Sequence, residues 1–180
     1  MQTIVVSNEI LLERIELRDA PTIFHAIDQN RSHLGRWLPF VDQTKEIKDS
    51  EDFIRNVISH REDTLNEVYT IWYKGEFAGT IGFHNTDRVN EKTEIGYWLV
   101  TNMTGKGIIT RSCMELVRLA FEMMRMNRVT IRCAIGNTAS EKVASSLGFS
   151  FEGIERSGER FHDHFLDLKV FSLLKEEGVR

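Results

Sequence analysis

From Thr93 to Val100 the chain is aromatic or apolar with few breaks; it then turns polar and glycine-bearing through Asn102, Thr104, Gly105 and Gly107, and runs on at helical spacing to Arg125. The first piece suits a central strand buried on both faces. In the last piece Arg111, Glu115, Arg118, Glu122 and Arg125 recur at spacings of four and three, while Ile109, Cys113, Leu116, Val117, Ala120 and Met124 fall opposite. That is the pattern of a helix with one buried face. The two glycines admit backbone angles closed to other residues and leave room for a close neighbour. Because the first turn of a helix carries unpartnered N–H groups and partial positive charge, main chain here could hold an anion such as a phosphate. The same G-x-G also reads as a tight strand-to-helix connection, and alone it does not choose between the two.

The 180 residues fit a single domain, 1–180, with core enough to be stable without disulfides or structural metal. A hydrophobic share of 41% with 28% charged residues is ordinary for a globular chain, and a net charge of −4 gives no general attraction to nucleic acid or anionic membrane. It mildly favours cationic acceptors such as amines. Cys113 and Cys133 fall inside a helix and a strand and read as buried thiols. The histidines show no metal-ligand spacing; His162 and His164 read as a solvated turn, and no metal is expected. The start lacks a basic segment followed by a long apolar run, and no stretch approaches the roughly 20 apolar residues of a membrane span, so the expected place is the cytoplasm.

In order, Ile10 to Leu12 open a first strand ending at Arg18, and Asp19 caps a short helix carrying Ile23, Phe24 and Ile27. The segment SHLGRWLPFVD packs Leu34, Trp37, Leu38 and Phe40 into an irregular piece that is either core or the wall of a substrate cleft. A second amphipathic helix spans Lys48 to His60, and Val68–Tyr73 with Phe77–His84 form a hairpin through Lys74 and Gly75. After the long helix, Val129, Ile131, Cys133 and Ile135 alternate as a strand reached by helical crossover, hence parallel to 93–100. Thr138 and Glu141 have capping-box spacing for a helix over Ala139–Leu147 ending at Gly148. Phe149 and Phe151 begin another extended piece, and Phe165–Leu174 a final strand whose free edge suits a homo-oligomer.

Taken together, EIGYWL (Glu94 to Leu99), N-M-T-G-K-G (Asn102 to Gly107), Asn137 with Ser140, LGF (Leu147 to Phe149) and the early HLGRWLPF make the chain resemble, over nearly its whole length, the Gcn5-related N-acetyltransferases, in their RimJ/RimL-like ribosomal-protein branch. The resemblance implies a strongly twisted mixed α/β sheet of about six to seven strands flanked by helices, with two central parallel strands splayed apart, and acetyl-coenzyme A as donor. It places the pyrophosphate on backbone amides from Met103 to Ile108, around Gly105 and Gly107, with Asn102 at the head of the turn where the family has glutamine or arginine. Lys106 and the Thr110 hydroxyl are candidate additional contacts; their plainer readings are a solvated lysine and a threonine bonded to its own helix. The pantetheine arm is implied along Leu99 and Val100, with Asn137 holding it, although an asparagine before a helix is also an ordinary cap.

Transfer of acetyl to an amine requires that an ammonium lose its proton, that a backbone N–H stabilise the developing oxyanion, and that an acid meet the departing thiolate. Under the resemblance, Leu99 and Val100 face the thioester and supply the N–H. Glu94 is the favoured base, directly or through water, with His84 the second choice; a salt bridge is the alternative for Glu94. Many relatives use as acid a tyrosine four residues before the LGF glycine, where this chain has Ala144, so Ser140 takes that part. The implied activity is N-acetylation of a primary amine, a protein N-terminus of ribosomal type. The alternatives are a small-amine acetyltransferase acting on a polyamine, amino acid or antibiotic, and a silent coenzyme A sensor.

Overall fold

The computed structural model describes residues 3–60 and 65–178. Eight strands form one sheet in the order β1-β2-β3-β4-β5-β6-β8-β7. They are β1 Thr3–Val5, β2 Ile10–Arg14, β3 Val68–Tyr73, β4 Glu76–Asp87, β5 Lys92–Leu99, β6 Arg128–Ala134, β7 Ser150–Phe161 and β8 His164–Leu174. Every pairing is antiparallel except β5 with β6. The helices are α1 Ala20–Gln29, α2 Arg31–Leu34, α3 Ile47–Ser59, α4 Ile108–Glu122 and α5 Thr138–Ser146. The sheet is thus mixed and flanked by helices, with two more members than the lower expected count. β1 has only three residues and no pattern to read, and β7, whose start was expected as an extended piece from Phe149 and Phe151, carries mostly exposed side chains that hid its length.

Two cores cover the two faces. The larger joins the sheet to α4 and α5: Cys113, Leu116, Val117 and Ala120 of α4 are fully buried against Ile71, Ile81 and Val129. Each leucine or valine so placed contributes about 1.5–3 kcal/mol of burial. The smaller packs α1, α2 and α3 through Ile23, Ile27, Leu34 and Ile54. The segment between α2 and α3 is held as a rigid strap by Arg31, whose guanidinium donates to the Val41 carbonyl at 2.7 Å and the Thr44 carbonyl at 2.6 Å.

Some boundaries move. The first strand stops at Arg14, and a 3-10 turn at Leu17–Asp19 follows; the Asp19 carboxylate accepts the Glu16 N–H at 2.8 Å and so caps that turn rather than α1. The long helix ends at Glu122, because Arg125 takes a left-handed φ of 59°. Ile135 lies beyond β6 and is 47% exposed. The final strand is not an edge: β8 lies between β6 and β7, and the free edge belongs to β7. Among the described residues no helix is long and apolar enough to cross a membrane, and no group of three or more His, Cys, Asp or Glu is placed to hold a metal ion.

Candidate active site

The site forms where β5 and β6 part. Their parallel ladder pairs only Lys92 with Arg128, Thr93 with Val129 and Glu94 with Thr130. Beyond that point β5 stays with β4 as far as Leu99, while β6 follows β8 as far as Ala134. The Val100 N–H donates to the Ala78 carbonyl at 2.9 Å, and its carbonyl accepts Met103 N–H at 3.1 Å. In an antiparallel ladder alternate residues face opposite neighbours. Leu99 therefore turns its main chain away from β4, into the gap between β5 and β6. Of the pair named from sequence, Val100 is occupied structurally and Leu99 is the one whose amide faces the gap.

At the open end of the gap, Thr101–Met103 forms a 3-10 turn and Gly105 and Gly107 follow with φ of 74° and 69°, Gly107 as the N-cap of α4. A Cβ on either glycine would meet nothing within 4 Å, so both face open space. From Gly105 to Thr110 the backbone N–H groups find no acceptor among the described residues. A left-handed turn that presents consecutive free donors at a helix N-terminus matches the charge and shape of a pyrophosphate. Met103 is buried, and Asn102 is exposed. Lys106 folds back, its Nζ 3.5 Å from Met103 Sδ and 5.4 Å from the Tyr73 ring centre. The Thr110 hydroxyl makes no hydrogen bond among the described residues, so it does not bond its own helix.

Asn137 realises the capping reading: its Oδ1 accepts the Ser140 N–H at 3.3 Å. That bond fixes Ser140 in the first turn of α5, facing a cleft of about 870 Å³ that also admits Tyr97, Cys133, His84, Glu94 and Glu159. The outer wall is the strap and α3, with Trp37, Leu38, Phe40 and Phe53. Their irregular run thus serves the cleft as well as the core. Burial pushes the Cys133 thiol up to about 11, which keeps it protonated and unreactive near neutral pH. Cys113 is wholly buried.

A charged cluster forms the floor. Arg132 Nε donates to both Glu94 oxygens at 2.9 Å, His84 Nε2 lies 3.0 Å from Oε1, and Asn85 Nδ2 donates to Oε2 at 3.2 Å. The second arm of Arg132 reaches Glu155 at 3.0 Å. Burial alone would raise the Glu94 pKa, but the hydrogen bonds and charges of His84 and Arg132 outweigh it and hold it at about 2. A carboxylate so stabilised is a weak base and a firm anchor. The His84 ring packs over Gly96, where a Cβ would come within 2.7 Å of Cε1. Glu159 behaves in the opposite way: desolvation, with the Glu94 charge adding to it, raises its pKa despite Arg132. Sequence reasoning missed Glu159 because R-S-G-E-R carries no apolar alternation, and missed Arg132 because it read as the polar face of a strand. His162 sits in the β7–β8 turn, as expected, 3.2 Å from Asp42 of the strap.

The acetyltransferase (GNAT) domain model matches residues 9–150. YdaF of Bacillus subtilis (strain 168), which carries a provisional ribosomal N-acetyltransferase name, is 37% identical over 178 residues, covering 98% of this chain and 97% of that protein. The ribosomal-protein-serine acetyltransferase of Escherichia coli (strain K12) is 24% identical, covering 95% and 96%. Among solved structures, the microcin C7 self-immunity acetyltransferase MccE in complex with acetyl-CoA and AMP superposes with a TM-score of 0.89 at 28% identity, covering 94% of each chain. RimL in complex with coenzyme A gives a TM-score of 0.92 at 22% identity, over 97% of this chain and 99% of that one. Acetyl-coenzyme A is the donor substrate, and the free amides of the glycine turn suit its pyrophosphate. With the splayed strands, the donor-rich turn and the matched domain in agreement, this chain belongs to the GNAT family of acetyl-CoA-dependent N-acetyltransferases.

Proposed function

We propose that the enzyme acetylates the N-terminal amine of a protein chain, and that the acceptor is ribosomal, as the names of its relatives suggest. The observation that carries this reading is the length of the acceptor groove. The main cleft shares the lining residues Pro39, Gln43 and Asp49 with a neighbouring hollow that Asp42, Arg160 and His162 also line. A groove that runs on beyond the transfer point suits an extended chain better than a compact amine. In this reading Glu159, whose raised pKa makes it the stronger base, takes the ammonium proton. Glu94 acts as an anchor that orients His84 and Arg132 on the cleft floor, the Leu99 amide stabilises the developing oxyanion, and Ser140 meets the leaving sulfur.

The test is thiol release from acetyl-coenzyme A with acceptors of graded length: amino acid amides, short peptides, and peptides copying ribosomal-protein N-termini. kcat/KM should climb with peptide length. Equal or better turnover of polyamines or single amino acids would instead select the small-amine reading, which the aromatic wall of Trp37, Phe40 and Phe53 favours.

A further inference from the structure

Two residues lining the cleft, Ser50 and Tyr97, carry a buried hydroxyl without a hydrogen-bond partner among the described residues, and that of Tyr97 lies beside the candidate Ser140. The Tyr97 hydroxyl is shielded from solvent. It lies beside the Ser140 side chain without reaching hydrogen-bond geometry. A buried hydroxyl without a partner costs about 1–3 kcal/mol, so its retention points to a partner that arrives with substrate. Ser140 likewise makes no side-chain hydrogen bond among the described residues, so two donors converge unpaired on one spot in the cleft. β5 brings Tyr97 there and the Asn137 cap brings Ser140. The position four residues before Gly148 cannot serve, because Ala144 is fully buried in the core.

We propose that Tyr97 and Ser140 together form a two-donor site for the sulfur that leaves acetyl-coenzyme A, with Tyr97 donating a hydrogen bond to the thiolate and keeping its own proton. This rests on the transfer point lying where β5 and β6 part. Glu159 has by then taken the ammonium proton; as the free amine's N–C bond forms, the surplus N–H proton leaves to solvent, and as the C–S bond breaks the electron pair stays on sulfur, the thiolate being held by both hydroxyls until solvent protonates it. Burial drives the Tyr97 pKa far above its ordinary value. The phenol therefore acts as a fixed dipole and not as an acid that titrates.

The experiment is a pH titration of coenzyme A bound to the whole enzyme, followed by ultraviolet thiolate absorbance, in wild type, Tyr97→Phe and Ser140→Ala. Both protein thiols are held protonated well past the ordinary thiol range, and the coenzyme-free enzyme is subtracted. The bound thiol should titrate about one pH unit or more higher in Tyr97→Phe than in wild type, as loss of a hydrogen bond to an anion requires. kcat should fall roughly tenfold or more with the same ratio at every pH, while KM for acetyl-coenzyme A changes little and thermal stability is unchanged or higher. Equal thiol titration in Tyr97→Phe and wild type, with Ser140→Ala alone shifted, overturns the part given to Tyr97. If wild type fails to bind coenzyme A at all, the site assignment itself falls, and the proposal with it.

Discussion

Replacing Glu94 by glutamine should separate an anchoring carboxylate from a catalytic base. Its pKa is 4.5 in an ordinary setting and about 2 in the fold. At about 1.4 kcal/mol per pH unit, that difference makes the ionised carboxylate worth about 3 kcal/mol of stability. Only 12% of the side chain is exposed, so solvent screening removes little of it. The sign follows from a depressed pKa: the contribution is complete above pH 4.5 and fades as the pH falls towards 2, with about 2 kcal/mol gone by pH 3. Urea unfolding at pH 7 should therefore show Glu94→Gln less stable by about 3 kcal/mol, and the gap to wild type should narrow towards about 1 kcal/mol at pH 3. The acid limb of kcat/KM should stay where it is in wild type, since a group with a pKa near 2 does not titrate there. A stability gap that does not shrink on acidification, or an acid limb abolished by this substitution, would refute the anchoring argument.

The base assignment makes the complementary prediction: Glu159→Gln should abolish the acid limb, which desolvation of Glu159 shifts upward in wild type, and pH–rate profiles of the two variants decide it. Gly107→Val should lose acetyl-coenzyme A binding by calorimetry, because the side chain enters the open space of the turn and a left-handed φ of 69° costs a branched residue about 1–2 kcal/mol; unchanged binding would remove the turn from the donor site. Ser140→Ala should lower kcat tenfold or more with little change in acetyl-coenzyme A affinity, and near-normal turnover would exclude the serine. Arg31→Met, which releases the Val41 and Thr44 carbonyls, should raise the acceptor KM several-fold while donor affinity holds, as initial-rate kinetics would show.

The strand–turn–helix at 93–122 was legible because three signals there agree: a buried run, two glycines and a 3.6-residue repeat. The α5 helix was legible too, but its cap moves one residue: the capping-box spacing pointed to Thr138 with Glu141, whereas Asn137 is the N-cap and accepts the Ser140 N–H. The fate of Val100 was not legible. Its amide is taken by Ala78, a residue 22 positions earlier in the chain, and only the β4–β5 register decides which of two adjacent amides faces the gap. The chemistry of Glu94 was hidden for the same reason. Arg132 is 38 residues away and reaches it only because β6 lies alongside β5 at Thr130. Glu159 was hidden further still, on an edge strand whose exposed residues show no periodicity.

These differences follow from how the two halves of the site are built. On the proposed reading the donor side is main chain: the Leu99 amide, the amides after Gly105 and the open faces of two glycines. Such a site needs only the strand, the turn and the absence of side chains, all of which a sequence states directly. The acceptor side is made of side chains from the Arg31-held strap, α3 and the β7–β8 hairpin, brought together across more than a hundred residues. Their contacts depend on registers and loop shapes that no local pattern encodes. A donor site made of backbone also leaves the acceptor wall free to change without disturbing acetyl-coenzyme A. Such independence is consistent with a neighbour at 28% identity that keeps the fold over 94% of its length and was solved in complex with acetyl-CoA and AMP. On the proposed reading the identity of the acceptor is to be sought in the side chains of Trp37, Phe40, Phe53 and Glu159 that line the cleft, and not in the glycine turn.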